Sequence, residues 1–243
     1  MHVPLGASGV DLSSNQGNKV LRTFDVFMSM NGLRYDTGKW LIPWIPLLAL
    51  SLWISTSALK HGFLMEFAIV SWVVYYFGQT IMLGTPIKRW MIDKMGEDNA
   101  WGFFQMYAGC NYFNIGSGIT AAAIYQQDAF ALSTNLGWGI AVILFLIGFG
   151  CKFWATWLVG SDVYYYKDLF YEKSHGEWCD KGIYKWFNNP MYGIGYLHSY
   201  SLAIIFGSYW GLAYAASCHV GIYIFHMIVE VPFIKRTYLT SDA

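Results

Sequence analysis

The chain has 243 residues, 56% hydrophobic and 12% charged, about half the charged share of an ordinary soluble domain. A soluble fold of this size cannot hide so much apolar surface, so composition points to an integral membrane protein built as one domain. Acidic and basic residues balance at 15 each, and zero net charge leaves nucleic-acid binding without electrostatic support. Twelve Trp and 18 Tyr suit interfacial belts and packed helices alike. The cysteines Cys110, Cys151, Cys179 and Cys218 show no metal-type spacing, so free thiols and no metal site are expected.

The N-terminal residues 1–39 are polar and lack a continuous apolar core, so a cleavable signal peptide is not expected and the first spanning helix must do the targeting. Val20, Leu21, Phe24, Phe27 and Met28 sit among Arg22, Asp25 and Arg34. This pattern fits a helix lying in the membrane interface, or an ordered tail packed on the bundle. Spanning helices need about 20 mostly apolar residues. They are expected near 41–59, 63–83, 103–125, 138–160, 191–207 and 210–231, an all-α bundle of about six transmembrane helices ending in a helical hairpin. Pro43 and Pro46 fall in the first turns of the first helix, where a missing N–H costs least. The third segment is interrupted by Gln105, Asn111 and Asn114, and its small residues argue for close helix contact. The break inside 191–231 is placed at Gly207-Ser208-Tyr209-Trp210-Gly211, where Gly and Ser favour a tight turn.

Charge tests the count. With six crossings, Lys19, Arg22, Arg34, Lys39, Lys88, Arg89, Lys94, Lys167, Lys173, Lys181, Lys185, Lys235 and Arg236 all fall on one side. Lys60 alone falls on the other, and Lys152 lies within the fourth helix. Positive charge marks the cytoplasmic face, so both termini are expected there. The long polar connection 161–189 lies on the same side, and connections of that length are usually functional or disordered.

Chemistry concentrates where three distant segments end at that face. Gly148-Phe149-Gly150 lies about 15 Å inside the fourth helix, where missing Cβ atoms admit either a ligand or another helix. A carboxylate at the edge of a span, Glu230, is costly and usually functional. His226, four residues earlier, shares its helical face. Asp162 and Asp168 begin the polar connection, and Lys185, Lys181 and Lys167 are placed to hold a lipid phosphate. His198 and His219 read as hydrogen-bonded packing residues.

The run Asn188-Asn189-Pro190-Met191-Tyr192, the Gly-Ser turn, and Glu230-Val231-Pro232-Phe233 followed by Tyr238 resemble the C-terminal half of the membrane phosphatidylethanolamine N-methyltransferases. That class is related to the isoprenylcysteine carboxyl methyltransferases, and its Gly-x-Gly matches Gly148 and Gly150. The resemblance covers residues 138–240, expected as a C-terminal methyltransferase core; by composition, residues 1–40 are expected as a cytoplasmic or interfacial segment and 41–137 as N-terminal transmembrane helices. The resemblance implies S-adenosylmethionine as cofactor, held by Gly148, Gly150, Asn189, Pro190, Met191, Tyr192 and Glu230. Lys185, Tyr196 and Asp168 are assigned to the headgroup of a membrane phospholipid, phosphatidylethanolamine or its partly methylated forms. Proton acceptance falls to Glu230, Asp162 or His198. Two departures matter: Val231 stands where relatives carry a second glutamate, and Asn189 where many carry His. The host membrane is expected to be the endoplasmic reticulum in a eukaryote or the inner membrane in a bacterium. The alternatives are a different acceptor, such as a prenylated-cysteine carboxylate or another lipid, and a non-enzymatic transporter or scaffold, which would build on Lys152.

Overall fold

The structure, a computed structural model, describes residues 6–7, 16–34, 38–173 and 177–239. Parts of the 1–40 segment and the end of the 138–240 core therefore lie outside the described residues. Among the described residues the regular structure is helical apart from a two-residue antiparallel ladder that pairs Gly6–Ala7 with Glu177–Trp178.

Helix α1 (Gln16–Met30) sits in the place expected for an amphipathic segment. Val26 and Ser29 are fully buried, while Val20, Leu21, Phe24 and Phe27 turn outward. Both sequence readings meet here: the helix packs on the bundle and keeps an apolar outer face. Arg22 fixes it, donating from Nε to the Trp157 carbonyl at 2.9 Å and from Nη2 to the Leu158 carbonyl at 3.1 Å. Those carbonyls belong to the last turn of α6 (Thr134–Val159), where a cation also suits the helix dipole.

Helices α2 (Leu41–His61) and α3 (Leu64–Gly84) follow, joined at Gly62 with φ 81°. A short α4 (Ile87–Met95), not foreseen as a separate helix, precedes α5 (Glu97–Tyr125). Gly96, at φ 80°, breaks the chain between them, and Glu97 and Asp98 in the next first turn suit the positive end of α5. The third helix therefore starts earlier than 103. Its polar residues face inward: Gln105 is fully buried, and its amide oxygen faces Arg34 Nε at 3.1 Å and Trp101 Nε1 at 3.3 Å. Ala121, Ala122 and Ala123 are buried too. Helix α5 is the central strut of the bundle.

Two short helices, α7 (Ser161–Tyr164) and α8 (Lys167–Tyr171), follow α6. The stretch expected as a fifth helix over 191–207 takes another form. After a turn at 191–193 the chain winds as a tight 3₁₀ helix over Ile194–Tyr200 and then a single α-turn, α9 (Ser201–Ile205). Gly148 and Gly195 let it press against α6. A Cβ on Gly148 would meet the His198 amide nitrogen at 2.3 Å, and one on Gly195 would meet the Pro190 carbonyl oxygen at 2.9 Å. The chain reverses at Gly207, φ 59°, and Ser208 caps α10 (Tyr209–Phe225) by accepting from Gly211 N at 3.0 Å. Helix α10 runs on to Tyr238, widened into a π-turn over His226–Glu230. Pro232 lies just beyond and has no N–H to continue the regular ladder.

Among the described residues four helices, α2, α3, α6 and the one from Tyr209 to Tyr238, are long and apolar enough to cross a bilayer. Helix α5 has the length but carries buried polar residues, and Ile194–Ile205 is apolar but short. Exposed Ile42, Trp53, Leu136, Ile143 and Leu146 line the outside of α2 and α6. The chain is a multi-pass membrane protein.

One buried cation joins the N-terminal segment to the core. Arg34, 4% exposed, donates to Asp162 Oδ1 at 2.9 Å and lies over the Tyr165 ring at 5.2 Å. Burial raises the Asp162 carboxyl, but Lys167 and Arg34 outweigh it and hold the group below its ordinary value. The folded form thus gains stability above the ordinary carboxylate range, and loses it as pH falls through the lowered value. Arg34→Met is expected to cost about 1–3 kcal/mol, tempered by the partial exposure of Asp162. Thermal unfolding in detergent at neutral pH, repeated below pH 4, reads both effects. The gap between variant and wild type should shrink in acid.

Candidate active site

The segment that opens the C-terminal third is locked by its own backbone. Asn189 Oδ1 accepts from Tyr192 N at 3.1 Å, and the Pro190 carbonyl accepts from Gly195 N at 2.8 Å. Pro190 and Met191 are buried as a result, and Met191 Sδ faces Thr156 Oγ1 at 3.6 Å. Tyr192 is thereby aimed at the widened turn of α10. Its hydroxyl donates to Glu230 Oε1 at 2.8 Å and lies 3.3 Å from Tyr166 Oη. His226 Nδ1 is 2.5 Å from Glu230 Oε2, the i, i+4 partnership its spacing allows. Glu230 is only 4% exposed, so both carboxylate oxygens are oriented inside the protein.

These groups close one side of an inner chamber. Tyr75 comes from α3, Tyr112 from α5, Lys152 from α6, and Tyr164 from α7 (Ser161–Tyr164). Tyr166, Tyr192 and Tyr196 complete the aromatic wall beside Glu230. Tyr196 Oη also lies 3.2 Å from Tyr76 Oη, which donates to the Cys218 carbonyl at 2.7 Å. Tyr166 sits in the left-handed region at φ 62° and ψ 34°, a conformation that costs a bulky residue energy and recurs at functional sites. Burial first, then Tyr192, Tyr75 and Glu230, raises its phenol well above the ordinary range, so it remains a neutral hydrogen-bonding group. Val163, Tyr166 and Glu230 are shared with an outer cavity that Lys167, Asp168 and Tyr238 line. There Tyr238 Oη donates to Asp168 Oδ2 at 2.5 Å.

The sequence-predicted residues divide into two groups. Met191, Tyr192, Tyr196 and Glu230 meet at the inner chamber, with Pro190 and Asn189 holding the turn behind them, and Asp168 lies in the outer cavity. Gly148 and Gly150 do not line either cavity. Gly148 is filled by the backbone at Leu197–His198, whereas Gly150 is exposed with nothing within 4 Å of an added Cβ. At Gly148 the space left by the missing side chain is taken by the chain itself, whereas Gly150 faces outward, so neither glycine stands beside Glu230 in these two cavities. His198 faces the Gly195 carbonyl at 2.5 Å and packs on Phe149. Asp162 is tied to Arg34 and Lys167, and Lys185 is exposed beside Trp186, itself 81% exposed. Sequence reasoning missed Tyr75, Tyr112, Tyr164 and Tyr166 as chamber walls. The Tyr164-Tyr165-Tyr166 run was the available signal. Among the described residues no three His, Cys, Asp or Glu side chains group as metal ligands.

An all-helical membrane protein with an enclosed tyrosine-and-carboxylate site at one end of its bundle is the class that fold and site define. Residues 137–241 match the phospholipid methyltransferase family, so this family is what the C-terminal part of the chain is similar to. It is 27% identical over 146 residues to a phosphatidylethanolamine N-methyltransferase of Botryotinia fuckeliana, covering 58% of this chain and 15% of the relative. It is 29% identical over 179 residues to phosphatidylethanolamine N-methyltransferase 1 of Vanderwaltozyma polyspora, covering 71% of this chain and 21% of the relative. The matched regions thus span between 15% and 21% of the length of these two relatives. No solved structure matches the chain significantly.

Proposed function

We propose that this chain is an S-adenosylmethionine-dependent N-methyltransferase acting on phosphatidylethanolamine or its partly methylated forms, in phosphatidylcholine synthesis. The observation that carries the reading is the Tyr192–Glu230–His226 constellation, at 2.8 and 2.5 Å, inside the segment that matches the family. Two buried polar atoms nearby lack partners among the described residues: Asn189 Nδ2, at the turn, and the hydroxyl of Tyr184, which feels the Glu230 charge. A buried unpaired polar group costs roughly 1–3 kcal/mol, and a ligand rich in hydroxyl, amine and carboxylate groups would relieve it. The donor set fits such a cofactor, which supplies an activated methyl group when bound. Glu230 would take its cationic or ribose end, and Asn189, Tyr184 and Tyr192 would orient it.

The chain's own part in catalysis is placement. Methyl transfer to an amine depends on alignment, and the aromatic walls beside Glu230 would serve it. Asp162, ion-paired and held below the ordinary carboxylate range, is a poor proton acceptor, which leaves Glu230 ahead of it. The groove beside the outer cavity is lined by Lys88, Arg89, Arg236 and Glu172 with apolar Ile228 and Phe233; Glu172 pairs with Lys88 at 3.1 Å and Arg89 at 2.5 Å, and a lipid phosphate there would draw on the remaining positive charge. In our reading the peptide crosses six times, with α5 and Ile194–Ile205 as crossings and the latter forming a hairpin with α10. Both termini are then cytoplasmic, in the endoplasmic reticulum of a eukaryote or the inner membrane of a bacterium. The division into segments 1–40, 41–137 and 138–240 belongs to the same proposal.

The test is direct. Purified chain in lipid nanodiscs containing phosphatidylethanolamine is given labelled S-adenosylmethionine, and headgroups are read by mass spectrometry. Methylated ethanolamine headgroups are expected, together with a rise in melting temperature on adding S-adenosylhomocysteine. Methylation of a prenylated-cysteine carboxylate instead would move the acceptor. The absence of both product and stabilisation would sink the enzyme reading.

A further inference from the structure

Glu230 in the chamber is partnered twice, by Tyr192 and His226. Lys152 is the group left over. It is the only charged residue in α6 between Thr134 and Val159, and its Nζ lies 5.2 Å from the centre of the Tyr196 ring and 5.6 Å from that of Tyr164. Among the described residues no carboxylate pairs with it. A lysine within a spanning helix is costly and marks a functional interior, and aromatic faces recover part of the cost of a desolvated cation. The backbone is shaped around its stem: a Cβ on Gly195 would meet Lys152 Cβ at 3.1 Å. The titratable groups that line the chamber with it are Tyr75, Tyr112, Tyr164, Tyr166, Tyr192, Tyr196 and Glu230, and His198 lies on the same stretch as Tyr196.

An amine accepts a methyl group through its lone pair, which a headgroup ammonium does not have free. Two ammonium ions in one water-poor chamber repel strongly. With Lys152 already seated on two rings, the neutral amine is the favoured form of a second nitrogen entering beside it. We propose that Lys152 is the resident charge of the chamber, and that it makes the phospholipid headgroup bind there as the free amine. This deepens the methyltransferase reading and rests on it. The covalent change is that of one proton: the headgroup N–H bond breaks, its electron pair stays on nitrogen, and the proton passes to water at the chamber mouth. A headgroup that has gained a methyl carries positive charge again, and the same repulsion expels it.

The test uses the full chain in nanodiscs and two short-chain ligands. One is phosphatidylcholine, permanently charged at nitrogen. The other is its carbon isostere, with a tert-butyl group in place of the trimethylammonium. Wild type should bind the neutral isostere at least about ten-fold more tightly, the scale a like charge in a low-dielectric site produces. Lys152→Met should erase that preference and Lys152→Arg should keep it, with Lys152→Gln replacing the Met variant if it does not assemble. Equal preference in wild type and the uncharged variant, or no preference in wild type, would overturn the proposal. This readout needs no turnover, so an inactive chain that still discriminates would sink the reaction and leave the charge assignment standing. With activity in hand, the rising limb of the pH profile of kcat, which reports titration in the bound complex, is a second readout. It should move up by about one unit or more in Lys152→Met and stay put in Lys152→Arg. An unmoved profile in the Met variant would also overturn it.

Discussion

Glu230→Gln should lower methyl transfer by at least about 100-fold while leaving the membrane fold intact. The magnitude follows from what is lost. Gln keeps the shape and one acceptor oxygen, so Tyr192, now 2.8 Å from Glu230 Oε1, retains a partner. The negative charge disappears from a site where it is 4% exposed, and a preorganised charge in a water-poor site is worth roughly 10²–10³ in rate. His226 loses the carboxylate it meets at 2.5 Å, which frees its ring. The variant's melting temperature without ligand should stay close to wild type, because no cavity opens and the Tyr192 bond persists. The shift produced by S-adenosylhomocysteine should shrink or vanish. Initial rates of label incorporation into phosphatidylethanolamine, measured beside those melts, settle it. A folded variant with wild-type turnover would remove Glu230 from the site.

The legible parts of this chain are those in which one residue type does one physical thing. Helices α2 and α3 announce themselves because nearly every residue faces lipid or a neighbour, and their edges fall within a few residues of the expectation. Glu230 stood out because a carboxylate at the end of an apolar run is costly, and the structure buries it between Tyr192 and His226. His226 followed from its spacing. The 194–205 stretch was misread as a regular helix because its apolar character was plain, while its winding is decided by contact. Gly148 and Gly195 bring it so close to α6 that a tight 3₁₀ coil fits where an ordinary helix was expected. Tyrosines are harder. Tyr75 and Tyr112 lie far apart in the chain and look like any membrane aromatics, and only tertiary packing turns them toward Lys152.

The two glycines of Gly148-Phe149-Gly150 give the sharpest separation between packing and ligand contact. Gly148→Ala is expected to destabilise the protein by about 3 kcal/mol or to block assembly. A Cβ there would lie 2.3 Å from the His198 amide nitrogen and 3.0 Å from the Leu197 carbonyl carbon, and backbone atoms cannot swing aside as a side chain does. The displaced segment carries Tyr196, so the ring under Lys152 would move with it, and activity would fall together with stability. Gly150→Ala meets nothing within 4 Å and gains roughly 0.5–1 kcal/mol of helix preference, so melting should be unchanged or slightly higher. On the packing account, affinity for S-adenosylhomocysteine is unaltered in Gly150→Ala. Should that variant melt like wild type yet bind the nucleotide ten-fold more weakly, the exposed glycine would be touching cofactor after all. The chamber would then extend along α6 toward lipid, because Gly150 reaches the cofactor only from the outer face of that helix.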